Sequence, residues 1–135
     1  MLLKSVSSKP YIVRAIYEWC TDCGYDPQLV VFFHTSCILP TQFIDADNEV
    51  IFNINWQAIK NLLIEDDNVT FTASFDGGMT SQDIYIPMAC IKGIYALQTA
   101  DGMIFDINMQ ELANLENFAV NNDKKSQKPL LKRLK

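Results

Sequence analysis

The stretch Val69-Thr-Phe-Thr-Ala-Ser-Phe75 decides the fold class that we predict for this chain. Apolar and polar residues alternate strictly along it, which is typical of a β-strand with one buried face. Four apolar side chains therefore share a face that should line a core or a groove: Val69, Phe71, Ala73 and Phe75. Asp76-Gly77-Gly78 follows directly and is permissive of positive φ, so we expect the chain to turn there.

Further short runs rich in branched and aromatic residues lie on both sides of this strand. They fall at residues 29–33, 50–54, 62–64, 84–87 and 91–96, and turn residues separate them. Such spacing, at intervals of about ten residues, is the signature of an all-β domain. Ala100-Asp101-Gly102 supplies another turn before Met103-Ile104-Phe105. The pattern predicts a small, strongly bent sheet or barrel.

A single amphipathic helix is predicted ahead of the strands, in Pro10-Tyr-Ile-Val-Arg-Ala-Ile-Tyr-Glu-Trp-Cys-Thr-Asp-Cys23. The apolar residues at helical spacing are Ile12, Ala15, Ile16, Trp19 and Cys23. Pro10 suits a first helical turn, and Gly24 suits the left-handed residue after a helix end. Four residues are left for another face: Tyr11, Arg14, Glu18 and Tyr25. A helix–helix partner would explain Tyr11, and a solvated surface is the alternative.

Composition and charge limit the classes of function. The 135 residues are 49% hydrophobic and 20% charged, which is typical of one globular domain. No apolar run approaches the roughly 20 residues that cross a bilayer, and the first residues lack a secretion signal. We therefore expect a cytoplasmic protein with reduced thiols and no membrane contact. The net charge of −5 argues against nucleic acid as the main partner.

The pattern of apolar residues changes after Asp106. Residues 109–117 are faintly helical, but residues 121–128 contain no apolar side chain and resemble a linker. Pro129-Leu-Leu-Lys-Arg-Leu-Lys135 then places three leucines among basic residues. We divide the chain into a body at 8–106, a linker at 107–128 and a tail at 129–135. The tail is interpreted as a docking peptide, with a frayed terminus as the alternative.

Two arrangements of cysteines suggest other functions. Trp19-Cys20-Thr-Asp-Cys23 resembles the motif of thioredoxin-like oxidoreductases, but it ends a predicted helix, where the helix dipole raises a thiol pKa. A small zinc-binding module is the second alternative, and its ligands would be Cys20, Cys23, His34 and Cys37. Against zinc, Cys20 lies inside the helical pattern and His34 ends an apolar strand. Cys90 has no partner in either arrangement and is expected to fill core space.

The sequence lacks the common catalytic motifs. It has one histidine, no Gly-x-Ser-x-Gly, no phosphate-binding glycine loop and no His-Glu-x-x-His. The carboxylates at 45–47 and 65–67 fall where loops are expected and are interpreted as solvated turns. We therefore predict a binding protein without enzymatic activity, metal or cofactor.

Several motifs resemble those of the stringent starvation protein B family. Lys9-Pro-Tyr-Ile-Val-Arg-Ala-Ile-Tyr-Glu-Trp19 is similar to the family's opening helix. The sheet motifs follow in the same order, among them Val50-Ile51-Phe52-Asn53-Ile54, Val69-x-Phe71-x-Ala73-x-Phe75 and Gly102-Met103-x-Phe105. Lys128-Pro-Leu-Leu-Lys-Arg-Leu-Lys135 is similar to the family's terminal segment, although Arg133 stands where the family usually has valine. The linker is also much shorter than the family's long acidic one.

The resemblance implies an α+β fold, mainly β, with an N-terminal helix packed on a small Sm-like β-barrel and a flexible C-terminal tail. It also implies a homodimeric adaptor that binds ssrA-tagged polypeptides and delivers them to the ClpXP protease. An RNA-binding Sm-like module remains an alternative, which the acidic composition disfavours.

The resemblance also implies roles for individual residues. A groove that binds the tag would involve Ala73, Phe71, Ser74, Phe52 and Ile54. Ala73 aligns with a family groove position and leaves a notch between two phenylalanines, while tight core packing is the alternative. Dimerisation would use Tyr11, Arg14, Ala15 and Glu18. Docking on the N-terminal domain of the ClpX unfoldase would use Pro129, Leu130, Leu131, Lys132 and Leu134.

Overall fold

The computed structural model describes residues 7–116 of the chain. In that part, helix α1 (Lys9–Cys23) precedes the strands β1 (Pro27–Phe32), β2 (Glu49–Asn53), β3 (Ile59–Ile64), β4 (Asn68–Phe75), β5 (Thr80–Pro87), β6 (Ile91–Ala96) and β7 (Gly102–Ile104). A further helix, α2, covers residues 109–116. The predicted fold class, a helix ahead of a mainly β domain, is confirmed.

The ends of α1 lie where the sequence predicts them. Pro10 falls in the first turn, and Gly24 adopts the left-handed conformation with φ of 73°. The Gly24 N–H donates to carbonyl oxygens of the last turn, which satisfies groups that the helix itself leaves unpaired.

The buried stripe of α1 differs from the predicted one. Val13 and Cys20 are fully buried and Ile16 is partly buried, whereas Ala15 and Cys23 are exposed. Trp19 is also exposed. The predicted core positions Ala15, Trp19 and Cys23 were therefore wrong. Apolar residues occupy so much of this helix surface that their spacing alone does not select the face that packs on the sheet.

The strands form two antiparallel sheets. The first has the order β2-β1-β6-β7 and the second has the order β3-β4-β5. The central strand β4 pairs along its whole length with β5, from Asn68 opposite Pro87 to Phe75 opposite Thr80. The ladders do not join into one closed barrel, so the described body is an open version of the predicted small β-rich architecture.

The hydrophobic core collects the inward faces of both sheets and one face of α1. Its fully buried members include Val13, Leu29, Val31, Ile54, Val69, Ile84, Ile86, Ile91 and Ile94. Leu112 of α2 is also buried in this core, and Leu115 packs against it. The packed body thus continues past Asp106 into the stretch that we assigned to the linker from the sequence.

Neither helix of the described residues has the length and apolar character needed to span a membrane.

Candidate functional site

The alternating residues of β4 divide between the core and the surface. Phe71 is 2% exposed and Ala73 is 5% exposed, and both face the space between the two sheets. Phe52 of β2 and Ile54 join them there, and the rings of Phe52 and Phe71 meet edge to face with centroids 5.3 Å apart. Ser74 lies on the opposite, exposed face of β4. The structure therefore brings four of the five predicted groove residues together, as buried side chains.

The inward face of β4 opens towards solvent at its end. Phe75 is only partly buried, and its ring stacks on that of Phe43, with centroids 5.3 Å apart and an interplanar angle of 24°. Phe43 itself is 48% exposed. We call Ala73, Phe75 and Phe43 the aromatic mouth. The partly exposed ring pair presents an apolar surface to a side chain from outside.

Phe43 is the member of the aromatic mouth that the sequence did not reveal. It ends the 3-10 turn Thr41–Phe43, within a connection that shows neither helical nor strand periodicity. Pro40 precedes this turn with extended geometry, and the Ile44 N–H closes it on the carbonyl of Thr41. The aromatic side chain itself was the available signal, since an aromatic residue usually needs a packing partner.

Three of the four predicted dimer residues lie on the outward face of α1. Tyr11, Ala15 and Glu18 are exposed, and Tyr11 retains 55% of its accessible surface. They are four and three residues apart, so they form one stripe along the helix. Ala15 at the centre of that stripe would allow close approach of another helix.

Arg14, the fourth predicted dimer residue, binds within its own chain. One guanidinium nitrogen donates to the Ile64 carbonyl at 2.9 Å, and the other donates to the Asp66 carboxylate at 3.0 Å. The guanidinium also lies over the Tyr11 ring, 4.7 Å from its centroid. Arg14 therefore fastens α1 to the end of β3 and holds the Tyr11 ring at the surface.

The Cys20–Cys23 pair lacks the environment of a thioredoxin-like site. Both residues lie in the last turn of α1, and Cys20 is buried. Burial raises the pKa of the Cys20 thiol, and the neighbouring Cys23 and Asp26 raise it further. Redox catalysis needs a lowered pKa at the leading cysteine, so this arrangement disfavours the oxidoreductase hypothesis.

The proposed zinc ligands do not form a cluster. Within residues 7–116, no three His, Cys, Asp or Glu side chains lie close enough to hold a metal ion. His34 instead pairs with Ser36, whose hydroxyl lies 2.6 Å from Nδ1, and Cys37 contacts Cys90. The contact between Cys37 and Cys90 was not anticipated from the sequence, because 52 residues separate the two cysteines.

The carboxylate groups singled out in the sequence stabilise turns and ion pairs. Asp45 accepts hydrogen bonds from the backbone N–H groups of Asp47 and Glu49, at 2.8 and 3.0 Å. Glu49 forms an ion pair with Lys92, and Asp66 pairs with Arg14. These contacts give the carboxylates structural roles.

The charge of the body disfavours a nucleic-acid interface. Residues 7–116 contain four basic and fifteen acidic side chains. An excess of acidic groups repels a phosphate backbone. The Sm-like RNA-binding alternative thus has no electrostatic support in the described body. The predicted docking residues Pro129, Leu130, Leu131, Lys132 and Leu134 lie outside the described residues.

Comparison with known proteins shows which family this chain belongs to. The model of the family described as "Stringent starvation protein B" matches residues 7–132. A protein of Haemophilus influenzae named "Stringent starvation protein B homolog" is 34% identical over 107 residues, which cover 78% of this chain and 69% of that protein. The family match includes α1, the two sheets and the aromatic mouth. The chain therefore belongs to the stringent starvation protein B family.

Proposed function

We propose that this protein is a non-enzymatic adaptor that binds ssrA-tagged polypeptides in the cytoplasm and delivers them to the ClpXP protease. Membership of the stringent starvation protein B family carries this proposal, because the match extends over residues 7–132. The raised pKa of the buried Cys20 thiol disfavours a thioredoxin-like enzyme as the alternative.

The aromatic mouth is the proposed entry point for the tag. Phe52, Ile54 and Phe71 are buried against one another, so their role is to support the floor of the groove. Phe43 and Phe75 present partly exposed rings beside the small Ala73 side chain, which suits an apolar residue of the peptide. Stacked rings also lose little conformational entropy on binding.

Sheet geometry offers a complementary mode of recognition. Ala73 lies on the central strand of the β3-β4-β5 sheet, opposite Ile59 on one side and Gln82 on the other. Because β4 is paired on both sides, an extended peptide would add main-chain hydrogen bonds along the outer edge of β3 or β5 while alternate side chains enter pockets. Such binding would place one peptide side chain at the mouth and the next in solvent.

A homodimer formed through α1 would join two such grooves. The stripe of Tyr11, Ala15 and Glu18 faces outward, and Arg14 holds the Tyr11 ring in position. With two bodies in one particle, two tails are available to the same unfoldase, which raises the local concentration of the tagged substrate. Weak tail contacts then suffice for delivery.

Degradation of an ssrA-tagged reporter by purified ClpXP tests delivery. At substrate concentrations below KM, adding the full chain should accelerate degradation several-fold, because tethering lowers the apparent KM. A variant that ends at Lys128 should bind the tag normally and give no acceleration. Equal acceleration by the full chain and the shortened chain would contradict the docking role of residues 129–135.

A further inference from the structure

We propose that Cys37 and Cys90 form a redox pair, which a peroxide oxidises to a disulfide within the chain. The proposal is independent of the adaptor function. It rests on the contact between the two side chains, on their place in the fold and on the different surroundings of the two sulfur atoms.

Backbone hydrogen bonds fix both cysteines near each other. The Cys37 N–H donates to the His34 carbonyl at 2.8 Å, and the next residue, Ile38, exchanges two hydrogen bonds with Tyr85 of β5 at 2.8 and 3.0 Å. Cys90 ends the 3-10 turn Met88–Cys90 that directly follows β5. The connection between β1 and β2 is therefore held beside the turn that carries Cys90.

The two thiols meet inside the hydrophobic core. The side chains of Cys37 and Cys90 are hydrogen-bond partners, and the Ser36 side chain is a second partner of Cys90. Cys90 is fully buried, whereas Cys37 retains 7% of its accessible surface. Cys37 is thus the less buried residue of the pair, and a small uncharged oxidant can reach it during a local opening of the connection.

The surroundings make the two sulfurs chemically different. The hydrogen bond with Cys90 lowers the pKa of Cys37 and outweighs the opposing effect of burial, and a backbone hydrogen bond at His34 lowers the Cys37 pKa further. The same hydrogen bond between the two thiols, together with burial, raises the pKa of Cys90. Two thiols of unlike acidity in contact are the arrangement of a peroxide-sensitive cysteine with its resolving partner.

The reaction consumes one molecule of hydrogen peroxide and forms the disulfide and two molecules of water. The Cys37 thiolate attacks a peroxide oxygen, the O–O bond breaks, and the departing hydroxide takes a proton to become water. Cys37 is then a sulfenic acid. The Cys90 sulfur attacks the Cys37 sulfur, the S–O bond breaks, and the hydroxyl leaves as water with the Cys90 proton. Two thiols have lost two electrons to the peroxide, and one S–S bond has formed.

The disulfide would join parts of the fold that are now linked by weaker contacts. The Lys9 ammonium of α1 donates to the carbonyls of Met88 and Ile91 at 3.1 and 2.9 Å, on either side of Cys90. Oxidation would add a covalent bond from this anchored turn to the β1–β2 connection. Because the bond closes a long loop in the unfolded chain, it should raise the midpoint of thermal unfolding.

Mass spectrometry of the oxidised full-length chain tests the proposal. The reduced chain is treated with hydrogen peroxide, the remaining thiols are alkylated, and the chain is digested without reductant. We expect one cross-linked product that contains the peptides of Cys37 and Cys90 and is two hydrogen atoms lighter than their sum. The oxidised chain should also unfold at a higher temperature, and dithiothreitol should reverse both changes.

Cys23→Ser is the matched control, because Cys23 is the exposed cysteine among the described residues. This variant should form the Cys37–Cys90 product as the natural chain does, while Cys37→Ser and Cys90→Ser should lose it. The wild-type peptide map decides the question even if these buried substitutions impair folding. Oxidation confined to Cys20 and Cys23, or Cys37 stopped at a sulfinic acid with Cys90 alkylated, would overturn the proposal.

Discussion

At the scale of single residues, the alternating pattern of β4 identified which side chains lie together but not how exposed they are. The prediction that Phe71, Ala73 and Phe75 share a face follows directly from the strand period. Their exposure depends on Phe43, which belongs to a connection without a periodic signal and stacks on Phe75. Single-sequence patterns carry no information on contacts between distant segments, and the Cys37–Cys90 contact was missed for the same reason.

Replacing Phe43 tests the aromatic mouth. Phe43→Ala removes one ring of a half-exposed stack, so we expect tag affinity to fall by about fivefold to tenfold with little loss of stability. Leu97→Ala is the control, because Leu97 is comparably exposed but lies after β6, in the connection to β7. Anisotropy titration of a labelled tag gives both affinities. Equal affinities for the two variants would place the tag elsewhere on the body.

The cysteine pair should give stability a distinctive pH dependence. The folded pKa of Cys37 lies below its ordinary value of 9.0, so its stabilising effect is complete above pH 9.0 and is lost as pH falls through the folded pKa. The folded pKa of Cys90 is raised, so its effect is complete below pH 9.0 and declines as pH rises above it. Together they should stabilise the fold most near pH 9.0.

Urea unfolding under reducing conditions measures this effect. The stability difference between the natural chain and the double variant Cys37→Ala, Cys90→Ala removes contributions common to both proteins. Above pH 9.0 this difference should shrink by about 1.4 kcal/mol per pH unit, because the unfolded chain loses a proton that the folded chain retains. A difference that stays constant from neutral pH to pH 10 would show that the thiols are uncoupled.

At the scale of elements, the sequence predicted the helix ends and the positions of the strands, because these depend on local signals. Pro10, Gly24 and the glycines after β4 fix turns through their own backbone preferences, and the structure confirms each of them. The prediction of the buried stripe of α1 was wrong because that stripe depends on the sheet surface against which the helix packs. The division of the strands into two sheets likewise depends on long-range pairing, which local patterns do not predict.

The pairing of β6 with β7 requires glycine for a reason that the sequence did not show. Gly102 does not need positive φ; instead, an added Cβ would lie 2.5 Å from the Tyr95 Cα and closer still to the Ile94 carbonyl oxygen. At Gly93 the nearest atom would be the Met103 carbonyl oxygen at 2.9 Å. Both glycines let these two strands approach closely.

Alanine substitution compares the two sites. Gly102→Ala should lower the free energy of unfolding by about 2 kcal/mol, because backbone atoms must separate to admit the methyl group. Gly93→Ala should cost less, since its closest contact is longer and involves one oxygen. Urea unfolding midpoints show which of the two substitutions destabilises the fold more. A larger loss for Gly93→Ala would contradict the close approach at Gly102.

The outward stripe of α1 can be tested by adding a charge. In the proposed homodimer, Ala15→Lys would bury an ammonium group between two helices, so we expect the dimer dissociation constant to rise by about tenfold or more. Thr21→Lys adds the same charge at an exposed position on the flank of the stripe and should leave dimerisation unchanged. Sedimentation equilibrium measures both. If Ala15→Lys dimerises as tightly as Thr21→Lys, the interface is not this stripe.

At the scale of the whole molecule, charge is unevenly distributed along the chain. Residues 7–116 carry fifteen acidic and four basic side chains, whereas residues 124–135 carry six basic side chains and no acidic one. This contrast was visible in the sequence, and it agrees with separate tasks for body and tail. The body presents the partly exposed rings of the aromatic mouth, and the tail has the basic, leucine-containing sequence of the proposed docking peptide. The adaptor proposal joins these two tasks in one chain.

Binding of the tag by the body is the central claim, and fluorescence anisotropy of a labelled ssrA peptide tests it most directly. We predict saturable binding with Kd at or below ~10 μM for the full chain and for the variant that ends at Lys128. A peptide of the same composition in scrambled order should bind at least about tenfold more weakly. Absence of saturation at ~100 μM, or equal binding of the scrambled peptide, would contradict the account.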